Sequence, residues 1–180
     1  MALTEDLAMF QRLILESARQ KILFLPHAIR QMSRPDRMIT VPDVRRVVTS
    51  GEIIENYLED ARGHSCLLVG ADRQGRWIHV LAEITIPGDH YRLCARPQRV
   101  GRYGQSKEPV MKCIHCEGQM KKTSAPFHID RKGYHLSLNA VPAWVCGQCG
   151  EPYFEEREVR TIQRLLSQLD KQTAGLASVA

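Results

Sequence analysis

The chain has 180 residues, of which 43% are hydrophobic and 25% are charged, a composition typical of globular proteins. No apolar run approaches the roughly 18 residues that a membrane span needs, and the N-terminus carries acid at Glu5 and Asp6 where a secretory signal carries base. These features predict a cytoplasmic protein with no membrane partner. The net charge of +5 is compatible with a nucleic-acid partner and equally compatible with none.

Residues 1–96 are predicted to form an α+β domain with N-terminal helices and an antiparallel sheet. Apolar residues at three- and four-residue steps predict a helix at Thr4–Gln20, and Pro26 can open a second helix at His27–Ser33. A third helix is indicated by a capping box of Thr40 and Asp43, and Gly51 ends it. Short apolar or alternating runs predict strands at Lys21–Leu25, Glu52–Tyr57, Ser65–Gly70, Trp77–Ile84 and Tyr91–Arg96.

Residues 97–110 lack an apolar period and contain Gly, Pro and Ser, which predicts a linker. Residues 111–175 follow as a second, smaller domain. Its centre is a predicted hairpin of Thr123–Ile129 and Tyr134–Ala140, and its end is an amphipathic helix at Glu155–Gln172. The apolar face of this helix could pack on its own domain or dock on a partner, including a second copy of the chain.

The second domain contains two C-x2-C pairs, Cys113/Cys116 and Cys146/Cys149, separated by 29 residues. Each pair can place two thiolates on one side of a turn, and two such turns complete the tetrahedral shell of a closed zinc site. The pattern predicts one structural Zn²⁺ in a zinc ribbon, because four thiolates leave no position for a reacting water. His115 and His128 are alternative ligands. Cys66 and Cys94, by contrast, are predicted to be buried free thiols.

The second domain resembles the YgiT-type zinc finger, the zinc-binding portion of MqsA-type antitoxins. The shared features are the Met111-Lys-Cys-x-x-Cys116 opening, the hairpin, the segment Trp144-Val-Cys-Gly-Gln-Cys-Gly-Glu151 and the final helix. In that family this portion binds and neutralises a toxin. The resemblance therefore implies a protein contact for the ribbon.

Residues 21–96 resemble a small family of unknown function in the RelE/ParE toxin superfamily. The residues that carry the resemblance are His27-Ala-x-x-Arg30, Ile39–Val44, the segment from Gly51 to Tyr57, Cys66–Gly70 and Ile78-His79-Val80. This resemblance implies a RelE-like fold and a metal-independent ribonuclease whose RNA substrate could lie on the ribosome.

Such a ribonuclease needs groups that transfer protons and cations that stabilise the charged transition state. His27 and His79 are candidates for proton transfer, Arg30 for phosphate contact, and Tyr57 for a hydrogen bond. Candidate nucleic-acid contacts are Arg34, Arg37, Arg92 and Arg96. Structural roles are the alternatives: His27 could cap its helix, His79 could be a solvent-side sheet residue, and the arginines could form a solvated face.

Together these features predict a fused toxin–antitoxin protein, with an RNA-cleaving domain neutralised in cis by its zinc finger through an intramolecular domain contact. A non-enzymatic nucleic-acid-binding module is one alternative. A protein-interaction module that forms a homo-oligomer through its last helix is another.

Overall fold

The computed structural model describes residues 2–57, 64–85, 92–94, 111–113 and 115–174. Within these ranges the helices are α1 (Ala2–Gln20), α2 (Pro26–Met32), α3 (Val41–Ser50) and α4 (Glu156–Thr173). The strands are β1 (Ile22–Phe24), β2 (Glu52–Tyr57), β3 (Ser65–Ala71), β4 (Trp77–Thr85), β5 (Arg92–Cys94), β6 (Met120–Arg131), β7 (Tyr134–Cys146) and β8 (Pro152–Glu155).

The predicted helices and strands are confirmed, with small shifts at their ends. Thr40 and Asp43 form the expected capping box at the start of α3, and the Thr40 N–H donates to Asp43 Oδ2 at 2.9 Å. The hairpin is longer than predicted, because its turn is confined to Lys132 and Gly133, both with positive φ. The strand β8 was not predicted, and the linker at 97–110 lies outside the described residues.

One sheet contains all eight strands, in the order β2-β3-β4-β5-β1-β8-β7-β6. Neighbouring strands are antiparallel except β1 and β5, which are parallel. The pairing of β1 with β8 joins the N-terminal segment to the cysteine-bearing segment, with Leu23 opposite Glu155 and Phe24 opposite Phe154. The mixed α+β class is therefore confirmed, whereas the RelE-like fold and the domain boundaries at 1–96 and 111–175 stay predictions.

The centre of the sheet is covered on both faces. On one face, Phe24 of β1 and Phe154 of β8 join a core that also contains residues of α1, α3 and α4 and of the β6–β7 hairpin. On the other face, Leu23 and Tyr153 pack in a second cluster with Cys113 and Cys146. Because side chains alternate along a strand, β1 contributes to both clusters at once.

Arg45 connects three helices at the boundary between the two segments. Its guanidinium forms a two-point pair with Glu156 at the start of α4, with Nε–Oε1 at 2.9 Å and Nη2–Oε2 at 2.7 Å. Its third nitrogen, Nη1, donates to the Ala18 carbonyl near the end of α1 at 2.7 Å. Two-point arginine–carboxylate pairs are strong and directional, so Arg45 fixes how α4 sits against α1 and α3.

A second ion pair fixes the far end of the hairpin to α4. The buried Arg131 donates through Nε to Asp170 Oδ1 at 2.9 Å, and the Tyr134 hydroxyl donates to the same oxygen at 2.9 Å. Lys132 Nζ lies 3.2 Å from Asp170 Oδ2. The hydrogen bond from Arg131 outweighs burial and holds the pKa of Asp170 well below its usual range.

Replacing Arg45 with methionine should lower the free energy of unfolding by about 1–3 kcal/mol, since it removes three hydrogen bonds of a partly buried cation. Urea denaturation measures the change. The matched control is Arg46→Met, because Arg46 is the exposed next residue of α3; its effect should stay within about 0.5 kcal/mol. Equal losses for both variants would contradict this role of Arg45.

The Asp170 carboxylate should make stability depend on pH in the acid range. Because its folded pKa is lowered, its contribution is present above the unfolded value of about 3.9 and is lost as the pH falls below that value. Asp170→Asn should therefore be less stable than the wild type at pH 7, with the difference shrinking toward pH 2, as followed by thermal unfolding. A difference that is constant with pH would show that ionisation of Asp170 contributes nothing.

Candidate functional site

The four cysteines predicted as metal ligands come together. The Sγ atoms of Cys113, Cys116, Cys146 and Cys149 all lie within 4.8 Å of one another. Two of the distances are 3.5 Å, between Cys113 and Cys149, and 3.4 Å, between Cys116 and Cys146. Sulfurs placed tetrahedrally about 2.3 Å from a zinc ion would lie roughly 3.8 Å apart, so the cluster fits a metal site. The two histidines considered as alternative ligands, His115 and His128, are exposed and lie outside this cluster.

Backbone turns hold the thiols in place. In the first turn, the Cys113 N–H donates to the Gly118 carbonyl at 2.8 Å. In the second, the N–H groups of Gln148 and Cys149 point at the Cys146 sulfur, at 3.4 and 3.5 Å. A side chain at Gly118 would lie 2.8 Å from the Cys146 sulfur, so only glycine permits the two turns to approach this closely.

The electrostatics of the cluster favour a cation. Although burial opposes ionisation of Cys146, the backbone N–H groups of Cys149 and Gln148 and neighbouring thiols lower its pKa to about 7. Desolvation, with the sulfurs of Cys116, Cys113 and Cys146, raises the pKa of Cys149 to about 12. Four thiols this close cannot all ionise unless a positive ion compensates them. Cys66 behaves differently, as predicted: it is free and buried, and burial raises its pKa to about 12.

The cysteine cluster sits against the middle of the sheet. The Cys113 sulfur lies 3.6 Å from the hydroxyl of Tyr153, a residue of β8. Leu23 of β1 belongs to the same buried cluster. The cysteine turns and the paired strands β1 and β8 therefore share one buried cluster.

Of the candidate catalytic residues, His27 and Arg30 lie together on α2. Both side chains are exposed. The helix starts at Pro26, directly after β1, and it also contacts β8. Apolar packing through Ile29 and Met32 fixes its inner face, which leaves the histidine and the arginine facing water.

The other two candidates, Tyr57 and His79, are exposed but separated. His79 lies on β4. Tyr57 of β2 pairs with Ser65 of β3, and Ser65 in turn pairs with Glu83 of β4, which is four residues beyond His79. Four residues of strand span roughly 13 Å, so the two side chains do not share one hydrogen-bonded site. The Tyr57 hydroxyl donates instead to Glu55, which raises the pKa of Tyr57.

The candidate nucleic-acid contacts are also dispersed. Arg34 and Arg37 are exposed in the loop between α2 and α3, and both pair with Asp36. Arg92 lies on β5 opposite Thr85, six residues and roughly 20 Å along β4 from His79. Arg96 lies outside the described residues.

Sequence reasoning missed the cations of the β3–β4 turn. Arg76 donates to the Arg37 carbonyl at 2.7 Å, which brings this turn beside the α2–α3 loop. Arg73 reaches Asp43 at 3.3 Å. The Asp-x-x-Gly turn at Asp72–Gly75 was visible in the sequence, but its contact with the loop depends on tertiary packing.

Comparison with known families and proteins gives one match. Residues 24–87 match a family described as a domain of unknown function, DUF4258. The match covers His27, Arg30, Arg34, Arg37, Tyr57 and His79. It does not extend to the cysteine-bearing segment, and it supports neither a RelE-like nor a YgiT-type assignment.

No curated protein and no solved structure matches the chain. Among the described helices, none combines the length and the apolar character needed to cross a membrane.

The purified chain should contain one metal ion, and chelation should lower its melting temperature by about 10 °C, because metal binding stabilises only the folded cysteine turns. Metal analysis and thermal unfolding measure both effects. Cys113→Ser should lose the metal, whereas the control Cys66→Ala, which removes a core thiol outside the cluster, should retain it. A full metal content in Cys113→Ser would contradict the four-cysteine site.

Proposed function

We propose that this chain is a fused toxin–antitoxin-like protein, in which a RelE-like ribonuclease segment is controlled in cis by a zinc ribbon. The observation that carries the proposal is the contact of β8 with both β1 and α2, the helix that bears His27 and Arg30. The ribbon is thus packed against the element that holds two of the candidate catalytic side chains.

Several contacts across the two segments support control in cis. Besides the Arg45–Glu156 pair, Lys21 Nζ lies 2.7 Å from Glu155 Oε1. Within the ribbon, the Trp144 indole N–H donates to the same carboxylate oxygen at 2.7 Å and so holds Glu155 in place for this contact. A tether between the segments makes this contact intramolecular, with an effective concentration on the order of millimolar. Weak individual contacts are then sufficient to hold the ribbon in place.

Control would act through the position of α2 rather than by covering the side chains. His27, Arg30, Tyr57 and His79 are all exposed in the intact chain. The ribbon would restrain α2 and β1. It would thereby fix the distance between His27 and the face of β4 that carries His79. Release of β8 would free α2 to move relative to that face.

We assign the metal of the cysteine cluster as a single structural Zn²⁺. Four thiolates with tetrahedral spacing suit zinc and leave no position for a reacting water. The ion would stabilise the two cysteine turns, and proton transfer would fall to side chains of the other segment.

A non-enzymatic module that binds single-stranded nucleic acid is the second candidate. The separation of Tyr57 from His79 favours it, because no hydrogen-bonded pair links those two side chains. Binding without cleavage needs only exposed cations and aromatic rings.

The proposal predicts that weakening the contact between the segments releases ribonuclease activity. In the full chain, Arg45→Glu places a second carboxylate beside Glu156, and the two negative charges repel each other. The variant should therefore show more RNA cleavage, and its expression should inhibit growth more strongly. The double variant Arg45→Glu with Glu156→Arg restores an ion pair and should return RNA cleavage to the wild-type level. Circular dichroism establishes that each variant is folded.

The proton-transfer role of His27 and His79 is tested in the Arg45→Glu variant. Adding His27→Ala or His79→Ala to Arg45→Glu should abolish cleavage while RNA binding survives, which also separates the enzyme from the binding module. A folded Arg45→Glu chain that neither cleaves RNA nor inhibits growth would contradict the proposal of a controlled ribonuclease.

A further inference from the structure

The last helix, α4, exposes a row of cations on the side opposite its buried Val159 and Ile162. Its exposed charged side chains are all basic: Arg157, Arg160, Arg164 and Lys171. At 3.6 residues per turn these four positions fall within about 60° of the helix circumference and span about 21 Å along its axis. They form one continuous strip, which we call the α4 stripe.

The acids of the same helix are turned inward. Glu156 pairs with Arg45 and Asp170 pairs with Arg131, and the two acidic side chains are only 21% and 12% exposed. Glu158 has a buried carboxylate oxygen. The α4 stripe therefore has no exposed acid on its own helix, and its members form no ion pair with any residue in the described part of the chain.

Packing does not account for this segregation of charge. Residues three or four apart on a helix are neighbours, so Arg157 and Arg160 repel each other, as do Arg160 and Arg164. A solvated helix face that alternates positive and negative side chains gains stability from the same contacts. An anionic ligand lying along the α4 stripe would relieve the repulsion.

The α4 stripe lies beside the loop that follows α2. The side-chain amide of Gln163, next to Arg164, donates through Nε2 to the Ile39 carbonyl at 2.9 Å. The same amide accepts from the Val41 N–H at 3.3 Å. These two bonds attach the middle of α4 to the end of the α2–α3 loop, so a ligand bound along the stripe would run beside that loop.

We propose that the α4 stripe binds the phosphate backbone of single-stranded RNA. Cations at steps of roughly 4.5, 6 and 10.5 Å along one line suit a polyanion better than a single acidic side chain. A membrane surface fits less well, because helices that lie in membranes insert apolar side chains, and no exposed position of α4 is apolar. The choice of RNA rests on the proposed function, since cleavage requires an RNA strand near α2.

Fluorescence anisotropy of the full chain tests the site, with a labelled 2′-O-methyl RNA strand of about twelve nucleotides that cannot be cleaved through its 2′-hydroxyl. The double variant Arg160→Gln with Arg164→Gln should bind at least about ten-fold more weakly at low salt. Its slope of log affinity against log salt should be shallower by about 1.4, since each phosphate contact to a single strand contributes about 0.7. The double variant Arg160→Lys with Arg164→Lys keeps the charge and should keep most of the affinity.

The matched control removes two exposed cations from other elements, Arg12 of α1 and Lys121 of β6, by changing both to glutamine. It lowers the net charge equally and should change the affinity by less than about two-fold, because distant exposed charges are screened. Unchanged affinity in Arg160→Gln with Arg164→Gln, or an equal loss in the control, would overturn the proposal. Tighter binding of a DNA strand of the same sequence, or binding to phosphatidylserine vesicles without binding to RNA, would also overturn it.

The two proposals can fail separately. RNA binding that depends on the α4 stripe, without cleavage by a folded Arg45→Glu chain, would remove the ribonuclease and keep the binding site. Cleavage that is released by Arg45→Glu and unaffected by adding Arg160→Gln and Arg164→Gln would contradict the binding site and keep the ribonuclease.

Discussion

The pairing of β1 with β8 is the interaction on which the other features of this structure depend. β1 has only three residues, yet it is bonded on one side to β5 and on the other to β8, and it contributes to a buried cluster on each face. The core under the helices, the packing of the cysteine turns and the placement of α2 all require this strand. Stability and any control of the candidate site are therefore properties of one connected unit.

Local chemistry explains why much of the fold could be predicted from the sequence. The Thr40–Asp43 capping box is a local signal for the start of α3 that can be read from four consecutive residues. The spacing of the four cysteines likewise limits them to two turns that face each other. β8 lacks such a signal. It is a four-residue segment that begins with proline, and it becomes a strand because β1 and β7 lie on either side of it.

The candidate site was harder to predict because its geometry is set by long-range register. The sequence marks His79 as solvent-facing from its apolar neighbours. Nothing local places Tyr57 level with Glu83, two strands away across β3, rather than level with His79. A register shift between Ile53 and Glu55 contributes to that offset. Likewise, the contact between Arg37 and Arg76 joins two turns whose proximity only the assembled sheet defines.

The sequence separation between the paired central strands has a consequence for biosynthesis. Leu23 leaves the ribosome well before its partner Glu155, which is made 132 residues later (155 minus 23). Because translation adds roughly 5–20 residues per second, the nascent N-terminal segment waits many seconds with the edge of β1 unsatisfied. Chaperones would have that interval to bind it, and a message broken before the codon for Glu155 would yield a product that cannot close its sheet.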